Sequence, residues 1–146
     1  MRLTIIAGAN GSGKTTFALS FAEFSGVEFI NADEIAKQLN PDDMDHEKFN
    51  AGKMFLRQIE ELLNKNQALI LETTMSGKYL IKIIQKAKLL GYTIDLFYLY
   101  LEDVTDNIAR VQNRVFNGGH NIPKEDIVRR YYRSRNLFFR FSKPYL

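Results

Sequence analysis

Eight consecutive residues near the N-terminus fit the pattern G-x-x-x-x-G-K-[ST], which begins at Gly8 and ends with Lys14 and Thr15. Glycine at Gly8, Gly11 and Gly13 lets consecutive backbone N–H groups curl around an anionic phosphate. Lys14 can bridge the β- and γ-phosphates of a nucleotide, and the Thr15 hydroxyl can bind Mg²⁺. The pattern therefore predicts a loop that binds ATP and Mg²⁺, formed by Gly8, Ala9, Asn10, Gly11, Ser12, Gly13, Lys14, Thr15 and Thr16.

Two polar segments follow predicted strands and add candidate chemistry. Asn31-Ala32-Asp33-Glu34 follows an apolar segment, and Glu72-Thr73-Thr74 ends another. Ligands of open α/β sheets bind at the carboxyl ends of the strands. Phosphoryl transfer needs a magnesium ion, positive charge on the moving group and a carboxylate that accepts the substrate proton. The pattern thus predicts a phosphotransfer site at this edge.

Each carboxylate has a candidate role and a structural alternative. Asp33 is the candidate catalytic base, and its alternative is to complement the dipole at the start of a helix. Glu72 is a candidate for holding Mg²⁺ through water or for binding substrate. Its alternative is a salt bridge with Lys14 in the empty protein.

Basic side chains in the second half of the chain predict a lid. Arg110 and Arg114 are four residues apart and share a helix face, and His120 follows two glycines. The arginine fork binds phosphate oxygens bidentately, so these three residues are predicted to close over the nucleotide. The alternative is a solvated helix face.

A second basic segment, Arg129-Arg130-Tyr131-Tyr132-Arg133-Ser134-Arg135, interleaves aromatic and charged residues. Stacking on nucleic acid is one interpretation. A helix with a buried tyrosine stripe and a solvated basic face is the favoured one.

The elements that must position these residues alternate along the chain. Strands are predicted at 3–7, 27–30, 68–73 and 93–101, with helical patterns between them. Such alternation is typical of a parallel sheet covered on both faces. We therefore expect a single α/β domain over residues 1–146 with the P-loop NTPase fold. It should have an open sheet of about four strands with helices on both faces, and the third and fourth strands should be buried on both sides.

Caps and apolar spacing predict the helices. Asn31, Ser76 and Asp103 are predicted to cap three helices, and Pro123 is predicted at the first position of the last one. One further helix should bury the face that carries Phe49, Leu56, Ile59 and Leu63.

Composition and charge set the broad class. The chain is 45% hydrophobic and 25% charged, has no cysteine, and has no apolar run near the length of a membrane span. This predicts a cytoplasmic protein with no disulfide, thiolate metal site or membrane partner. Residues 110–146 carry a net charge of +7, whereas residues 1–109 carry −4. The asymmetry predicts an anionic partner.

The motifs taken together resemble a known family. GANGSGKTT, NADEIA, LILETTMSG, GGHNIP and RRYYRS, in this order from residue 3 to about residue 140, resemble the zeta-toxin-like P-loop kinases. The phosphate loop alone is common, and the combination is much more specific. The resemblance implies transfer of a phosphoryl group from ATP, with Mg²⁺, to a hydroxyl of a nucleotide sugar such as UDP-N-acetylglucosamine.

The resemblance also implies roles for single residues. Lys14 and Thr15 would bind ATP and metal, and Asp33 would be the substrate-activating aspartate. Glu72 and Thr74 would form a Glu-x-Thr pair near substrate or metal.

The lid departs from the family pattern. Arg110 falls near a phosphate-sensing arginine of the family. The second lid arginine aligns with Gly119-His120, so that His120, Arg114 or a later arginine would replace it.

The end of the chain and the partners complete the expectations. This chain stops at residue 146, where such kinases usually add a fifth strand and a helix that frame adenine, so we expect that strand to be absent. The expected partners are a small-molecule substrate and an acidic antitoxin-like protein. Two alternatives stay open: a kinase acting on a nucleic-acid end or a small metabolite, and a non-catalytic nucleotide-responsive module bound by an acidic partner.

Overall fold

Four parallel strands form one sheet in the computed structural model, which describes residues 1–142. They are β1 (Arg2–Ala7), β2 (Glu28–Ile30), β3 (Leu69–Thr73) and β4 (Thr93–Tyr98), in the order β2-β3-β1-β4. Ala7 pairs with Thr73 on one side and with Tyr98 on the other. The loop after β1 and the polar end of β3 are therefore neighbours, as the fold prediction requires.

Within residues 1–142, six helices cover both faces of the sheet; four of them lie between strands and two follow β4. Leu3 and Ile5 of β1 lie in one buried cluster, whereas Ile6 lies in another with Ala18 and Ile70. Alternate residues of a strand point to opposite faces, so the predicted two-sided sheet is confirmed. The helices are α1 (Lys14–Ser25), α2 (Ala32–Leu39), α3 (Met44–Asn64), α4 (Tyr79–Leu89), α5 (Val104–Phe116) and α6 (Lys124–Ser142).

The fourth strand differs from its prediction. All five residues of β3 are buried, as expected of a central strand. β4 ends at Tyr98 rather than at residue 101, and its side chains are partly or fully exposed. The prediction that β4 is buried on both sides is wrong, because β4 lies at an edge of the described sheet.

Most of the predicted helix starts are confirmed. The Asn31 side chain accepts hydrogen bonds from the first turn of α2, and Asp103 accepts one from Thr105 N at 2.9 Å. Helix α6 begins one residue after Pro123. Ser76 does not cap α4, which begins at Tyr79, because its hydroxyl is paired with that of Thr74 at 2.9 Å.

The predicted buried face of α3 is half correct, because Ile59 and Leu63 are buried as expected and Phe49 and Leu56 are not. Ala51, Phe55 and Ile59 are buried at four-residue spacing, whereas Phe49 is 72% exposed and Leu56 is 39% exposed. The stripe that includes Ala51 and Phe55 packs on the sheet, which turns Phe49 and Leu56 towards a cavity described below.

Two expectations concern the ends and surroundings of the chain. The prediction about a fifth strand falls on residues from 143 onwards and lies outside the described residues. Within residues 1–142, no helix is both long enough and apolar enough to cross a membrane.

Candidate functional site

The phosphate loop joins β1 to α1, and its glycines adopt backbone conformations that other residues rarely adopt. Gly11 has a φ of 78°, and Gly13, which precedes the first turn of α1, has a φ of 90°. A Cβ atom at Gly11 would lie 2.5 Å from the carbonyl oxygen of Asn107. Glycine is therefore needed at Gly11 for its conformation and for the close approach of α5.

Asn10 connects this loop to two later helices. Its carbonyl oxygen accepts a hydrogen bond from Asn107 Nδ2 at 2.9 Å, and its Oδ1 accepts one from Arg130 Nη1 at 3.0 Å. Asn10 is only 5% exposed. Helices α5 and α6 thus hold the loop in position through one residue.

Lys14 is a buried cation at the centre of the site. Its Nζ donates to the carbonyl oxygen of Ala9 at 3.4 Å and lies 3.7 Å from Glu72 Oε1. Burial lowers the pKa of Lys14 below its ordinary value of 10.5, and the carboxylates of Glu72 and Asp33 oppose this shift. A buried ammonium group beside open backbone N–H groups is suited to an anionic ligand.

Glu72 is held by hydrogen bonds at both of its oxygens. Oε1 accepts from the Thr15 hydroxyl and Oε2 accepts from Asn31 Nδ2, each at 2.7 Å. Burial raises the pKa of Glu72 above its ordinary value of 4.5, although Lys14 and the hydrogen bond from Thr15 oppose this shift. Both functions considered for Glu72 fit this geometry: it contacts the predicted Mg²⁺ ligand and also pairs with Lys14.

Asn31 is a site residue that sequence reasoning treated only as a helix cap. Its Oδ1 accepts from Asp33 N at 2.7 Å, while its amide donates to Glu72. The signal was available, since an asparagine at the end of a strand can serve a helix start and a neighbouring strand end together.

Asp33 lies in the first turn of α2 with an exposed side chain. Within residues 1–142 its carboxylate has no hydrogen-bond or ion-pair partner. It is nevertheless close enough for its negative charge to raise the pKa values of both Lys14 and Glu72. The Asp33 carboxylate is therefore accessible to a ligand.

A cavity of about 470 Å³ opens between the loop, α2 and α3. Lys14, Asp33 and Glu72 line it. Its walls are both aromatic and basic, and they include Lys48, Phe49, Lys53, Leu56, Thr74, Tyr79, His120 and Arg130. We call it the acceptor cavity.

A second cavity, of about 260 Å³, lies on the other side of Lys14. We call it the phosphate cavity. It is lined by Gly11, Gly13, Lys14, Thr15, Thr16, Arg110, Asn113 and Arg114. The Arg110 guanidinium approaches within 3.8 Å of the position that a Cβ of Gly13 would occupy. Three cationic side chains and no Asp or Glu line this cavity, so its composition fits the phosphates of a nucleoside triphosphate.

The predicted lid is divided between these cavities. Arg110 and Arg114 line the phosphate cavity, as expected, but His120 lines the acceptor cavity. His120 Nε2 lies 3.5 Å from Asp45 Oδ1 of α3. The structure therefore does not bring His120 together with the two arginines.

Arg130 differs from the favoured interpretation of its segment. It is half-buried, contacts Asn10 and lines the acceptor cavity, so it is not part of a solvated basic face. The prediction of a buried tyrosine stripe is half correct, because Tyr131 is 4% exposed and Tyr132 is 52% exposed. Buried Ile127 lies three residues before Arg130, a spacing that places both on one helix side.

Thr74 lies in the turn after β3. Its hydroxyl pairs with Ser76, and the next residue, Met75, has a φ of 55°. The hydroxyl of Thr73 pairs with Tyr79 and accepts from Met75 N at 3.0 Å. These contacts fix the turn that forms the floor of the acceptor cavity.

Comparisons with known proteins identify the family and the fold of the chain. A family sequence profile described as AAA domain matches residues 3–135. The chain belongs to this family. An uncharacterized protein of Haemophilus influenzae is 34% identical over 125 residues, which cover 86% of this chain and 88% of that protein. The family profile covers the phosphate loop, the end of β3 and most of α6, so the AAA domain family accounts for nearly the whole described chain.

Solved structures similar to this member of the AAA domain family include three with high coverage of the chain. The first, from the Pnkp1/Rnl/Hen1 RNA repair complex, has a TM-score of 0.77 at 22% identity and covers 96% of this chain and 46% of that one. A chain of the PezAT toxin-antitoxin system of Streptococcus pneumoniae has a TM-score of 0.72 at 20% identity, with 98% and 64% coverage. Shikimate kinase from Acinetobacter baumannii has a TM-score of 0.58 at 20% identity, with 96% and 79% coverage.

These likenesses concern the fold. They confirm an α/β P-loop fold like that of kinases. This chain spans about half of the first of those chains, at 46% of its length. The resemblance to zeta-toxin-like kinases is supported at the level of a P-loop kinase fold, and the nucleotide-sugar subtype stays a prediction.

Proposed function

We propose that the protein transfers the γ-phosphoryl group of ATP to a hydroxyl group of an acceptor, and that this acceptor is a nucleotide sugar such as UDP-N-acetylglucosamine. The observation that carries the proposal is the position of Lys14, which lines both the phosphate cavity and the acceptor cavity. A phosphoryl group that leaves one cavity for the other must pass this ammonium group. Asp33 lies on the acceptor side, where an attacking hydroxyl would be.

The proposed reaction forms one bond and breaks one bond at phosphorus. The acceptor oxygen attacks the γ-phosphorus, the bond to the β,γ-bridging oxygen breaks, and ADP leaves. The hydroxyl proton passes to the Asp33 carboxylate. Lys14 and Arg110 neutralise the charge that spreads over the transferring oxygens, and Arg114 supports them from the same cavity.

The residues around Thr15 fit a magnesium ion. Mg²⁺ is typically held by one or two protein oxygens together with waters and phosphates, and Thr15 Oγ1 lies 2.7 Å from Glu72 Oε1. Thr15 would bind the ion directly and Glu72 would bind it through water. When bound, Mg²⁺ would neutralise phosphate charge.

The acceptor cavity supports the nucleotide-sugar part of the proposal by its chemistry. Lys48, Lys53 and Arg130 supply positive charge for a diphosphate, and Phe49 and Tyr79 supply aromatic surface for a ring. Lys53 Nζ lies 4.4 Å from the centre of the Phe49 ring, so the cation and the aromatic surface are adjacent. A volume of about 470 Å³ lies in the range typical of ligand sites.

Incubation of the purified protein with ATP, Mg²⁺ and UDP-N-acetylglucosamine tests the proposal. We expect ADP and a phosphorylated sugar nucleotide by mass spectrometry. Asp33→Asn should lose turnover and keep ATP affinity, while Asp42→Asn, an exposed residue outside both cavities, should behave as the wild type. Normal turnover by Asp33→Asn would remove Asp33 as the base. Turnover with oligonucleotides or small metabolites alone would replace the nucleotide sugar as the acceptor.

A further inference from the structure

Two buried side chains of opposite charge, Lys14 and Glu72, lie close together without forming a hydrogen bond. Lys14 Nζ and Glu72 Oε1 are 3.7 Å apart, and the two side chains are 9% and 5% exposed. A hydrogen bond between an ammonium group and a carboxylate is ordinarily about 2.7–2.9 Å long. Opposite charges also attract each other more strongly in a protein interior than in water. Contacts on the other atoms of Glu72 account for the separation.

The Glu72 carboxylate is restrained at both of its oxygens. The Thr15 hydroxyl donates to Oε1 and Asn31 Nδ2 donates to Oε2, each at 2.7 Å. The carboxylate cannot turn or shift towards Lys14 without losing one of these short hydrogen bonds. Because a buried charged group that loses a hydrogen bond is strongly penalised, the two contacts oppose the attraction of Lys14.

The separation leaves the Lys14 ammonium group with unused hydrogen-bonding capacity. The group has three N–H donors, and among residues 1–142 its hydrogen-bond acceptor is the carbonyl oxygen of Ala9, at the long distance of 3.4 Å. Lys14 lines the phosphate cavity together with Arg110 and Arg114. A lysine paired closely with a carboxylate would offer fewer donors and less net charge to a phosphate group. The present geometry preserves both.

The restraint from Asn31 is independent of the atoms proposed to bind ligands. The Thr15 hydroxyl is the proposed direct ligand of Mg²⁺, so it would serve two partners, whereas Asn31 Nδ2 has no such second role. Asn31 is 8% exposed, and its Oδ1 accepts a hydrogen bond from Asp33 N at 2.7 Å. The side chain is therefore fixed by the start of α2 at one end, and it holds Glu72 at the other.

We propose that Asn31 is a positioning residue for ATP binding: its amide holds the Glu72 carboxylate away from Lys14 and thereby keeps the lysine ammonium group available to the phosphates. Without this contact, Glu72 closes onto Lys14 and competes with the nucleotide for it. The inference rests on the proposed function only for the role of Lys14 in binding ATP. It requires neither an acceptor nor turnover.

A crystal structure of Asn31→Ser tests the geometry directly. Serine caps a helix about as well as asparagine does, but its side chain is shorter and has no amide that could reach Glu72. Helix α2 should therefore begin at the same residue, while the distance from Lys14 Nζ to the Glu72 carboxylate should fall from 3.7 Å to about 2.8 Å. A distance that stays at 3.7 Å would overturn the proposal.

Calorimetric titration with ATP in the presence of EDTA tests the consequence for binding. Removal of divalent cations separates this effect from the proposed metal contacts of Thr15 and Glu72. Asn31→Ser should weaken ATP binding about tenfold or more, as expected when a hydrogen bond to a charged group is lost. In the Glu72→Gln background no carboxylate attracts Lys14, so the same substitution should change the affinity by less than about twofold. An equal loss in both backgrounds would show that Asn31 acts without Glu72, contrary to the proposal.

The matched control is Asn40→Ser, the same substitution at another asparagine that stabilises a turn. Asn40 Oδ1 accepts from Asp42 N and from Asp43 N, each at 3.2 Å, and Asn40 lies outside both cavities. This variant should bind ATP as the wild type does, and a loss equal to that of Asn31→Ser would count against a specific role of Asn31.

Asn31→Ala separates the contact with Glu72 from the helix cap. It should lose ATP affinity to the same extent as Asn31→Ser, and it should melt at a lower temperature than Asn31→Ser because the cap is lost as well. An ATP affinity that follows the melting temperature across these variants would indicate a purely structural role and overturn the proposal.

The same measurements distinguish this inference from the proposed function. Weaker ATP binding by Asn31→Ser, combined with a wild type that phosphorylates no nucleotide sugar, supports the role of Asn31 and removes the nucleotide sugar as acceptor. Normal ATP affinity of Asn31→Ser, combined with an active wild type, overturns the role of Asn31 and leaves the kinase proposal intact. Absence of ATP binding by the wild type, with and without Mg²⁺, overturns both.

Discussion

The hydroxyl of Thr15 donates a hydrogen bond of 2.7 Å to Glu72 Oε1, across the gap between the phosphate loop and the end of β3. The contact links a residue of the first helix to one that lies 57 positions later, and it exists because β1 and β3 are neighbours. In the proposed reaction, the same two oxygens lie where Mg²⁺ would bind. Glu72→Gln should weaken Mg²⁺-dependent turnover by about 100-fold, because an amide nitrogen would face the Thr15 hydroxyl or Asn31. A Mg²⁺ titration measures the effect, with exposed Glu61→Gln as the control, and an unchanged Mg²⁺ dependence would contradict it.

The same carboxylate should leave a signature in the pH dependence of stability. Because burial raises the pKa of Glu72 in the folded protein, the folded state binds more protons than the unfolded state above the ordinary value of 4.5. The contribution of Glu72 to the free energy of unfolding should therefore fall as pH rises from about 4.5 through the folded pKa.

Denaturant unfolding at several pH values, compared between the wild type and Glu72→Gln, isolates this contribution. The wild type should lose stability relative to the variant as pH rises through that window, and the difference should then become constant. A difference that grows in favour of the wild type with rising pH would contradict the assigned direction.

Arg130 should matter more than its neighbour Arg129. Arg130→Ala removes the hydrogen bond to Asn10 Oδ1 and leaves the phosphate loop held from α5 alone. We expect turnover to fall about 10- to 100-fold, the range that follows from losing about 1.5–3 kcal/mol for a hydrogen bond to a charged group. Arg129→Ala removes a surface pair with Asp126 and serves as the matched control. Equal activity of the two variants would show that the Asn10 contact has no role in turnover.

Gly11 should tolerate no side chain. In Gly11→Ala, the new Cβ would meet Asn107 O at 2.5 Å in a backbone conformation with a φ of 78°. Strain of this kind costs of order 1–3 kcal/mol before the steric clash is added, so the melting temperature and ATP affinity should both fall. Gly26→Ala is the control, because its φ is 67° and nothing lies within 4 Å. It should lose stability through conformation alone and should keep ATP affinity.

Substitutions in the two cavities should change different kinetic constants. Arg110→Ala alters the phosphate cavity and should lower kcat or raise the KM for ATP, with little change in the KM for the acceptor. Lys53→Ala alters the acceptor cavity and should raise the KM for the acceptor alone. Steady-state kinetics with each substrate varied in turn measures both. A rise in the acceptor KM for Arg110→Ala would contradict the division.

Local patterns were sufficient for the loop and most of the fold. The conformation of the loop from Gly8 to Thr15 can be predicted from those residues alone. Asn31 and Asp103 can be predicted as helix caps because the capping hydrogen bonds come only from the first turn of the helix that is capped. The prediction for β4 went wrong because an apolar sequence does not reveal whether a neighbouring strand exists on both sides. Phe49 was assigned to the core for a similar reason, since its hydrophobicity suits a cavity wall as well as a core.

Arg130 shows the harder limit of sequence reasoning. Its contact with Asn10 joins residues 120 positions apart, and no local pattern specifies which of several arginines on α6 will reach the loop. His120 was grouped with Arg110 and Arg114 because the three are near in sequence, but the turn after α5 directs His120 towards Asp45. Charge composition predicted an anionic partner, whereas the direction of each side chain required the packing of α6.

The wall formed by α3 has a consequence for how this protein could change over evolutionary time. Lys48, Phe49, Lys53 and Leu56 shape the acceptor cavity, yet none of them lines the phosphate cavity. Their side chains are exposed and tolerate replacement with little loss of stability. Substitutions along this face of α3 would therefore change which acceptor the cavity binds without altering the residues that line the phosphate cavity. A library randomised at these four positions is a natural starting point for engineering new specificities.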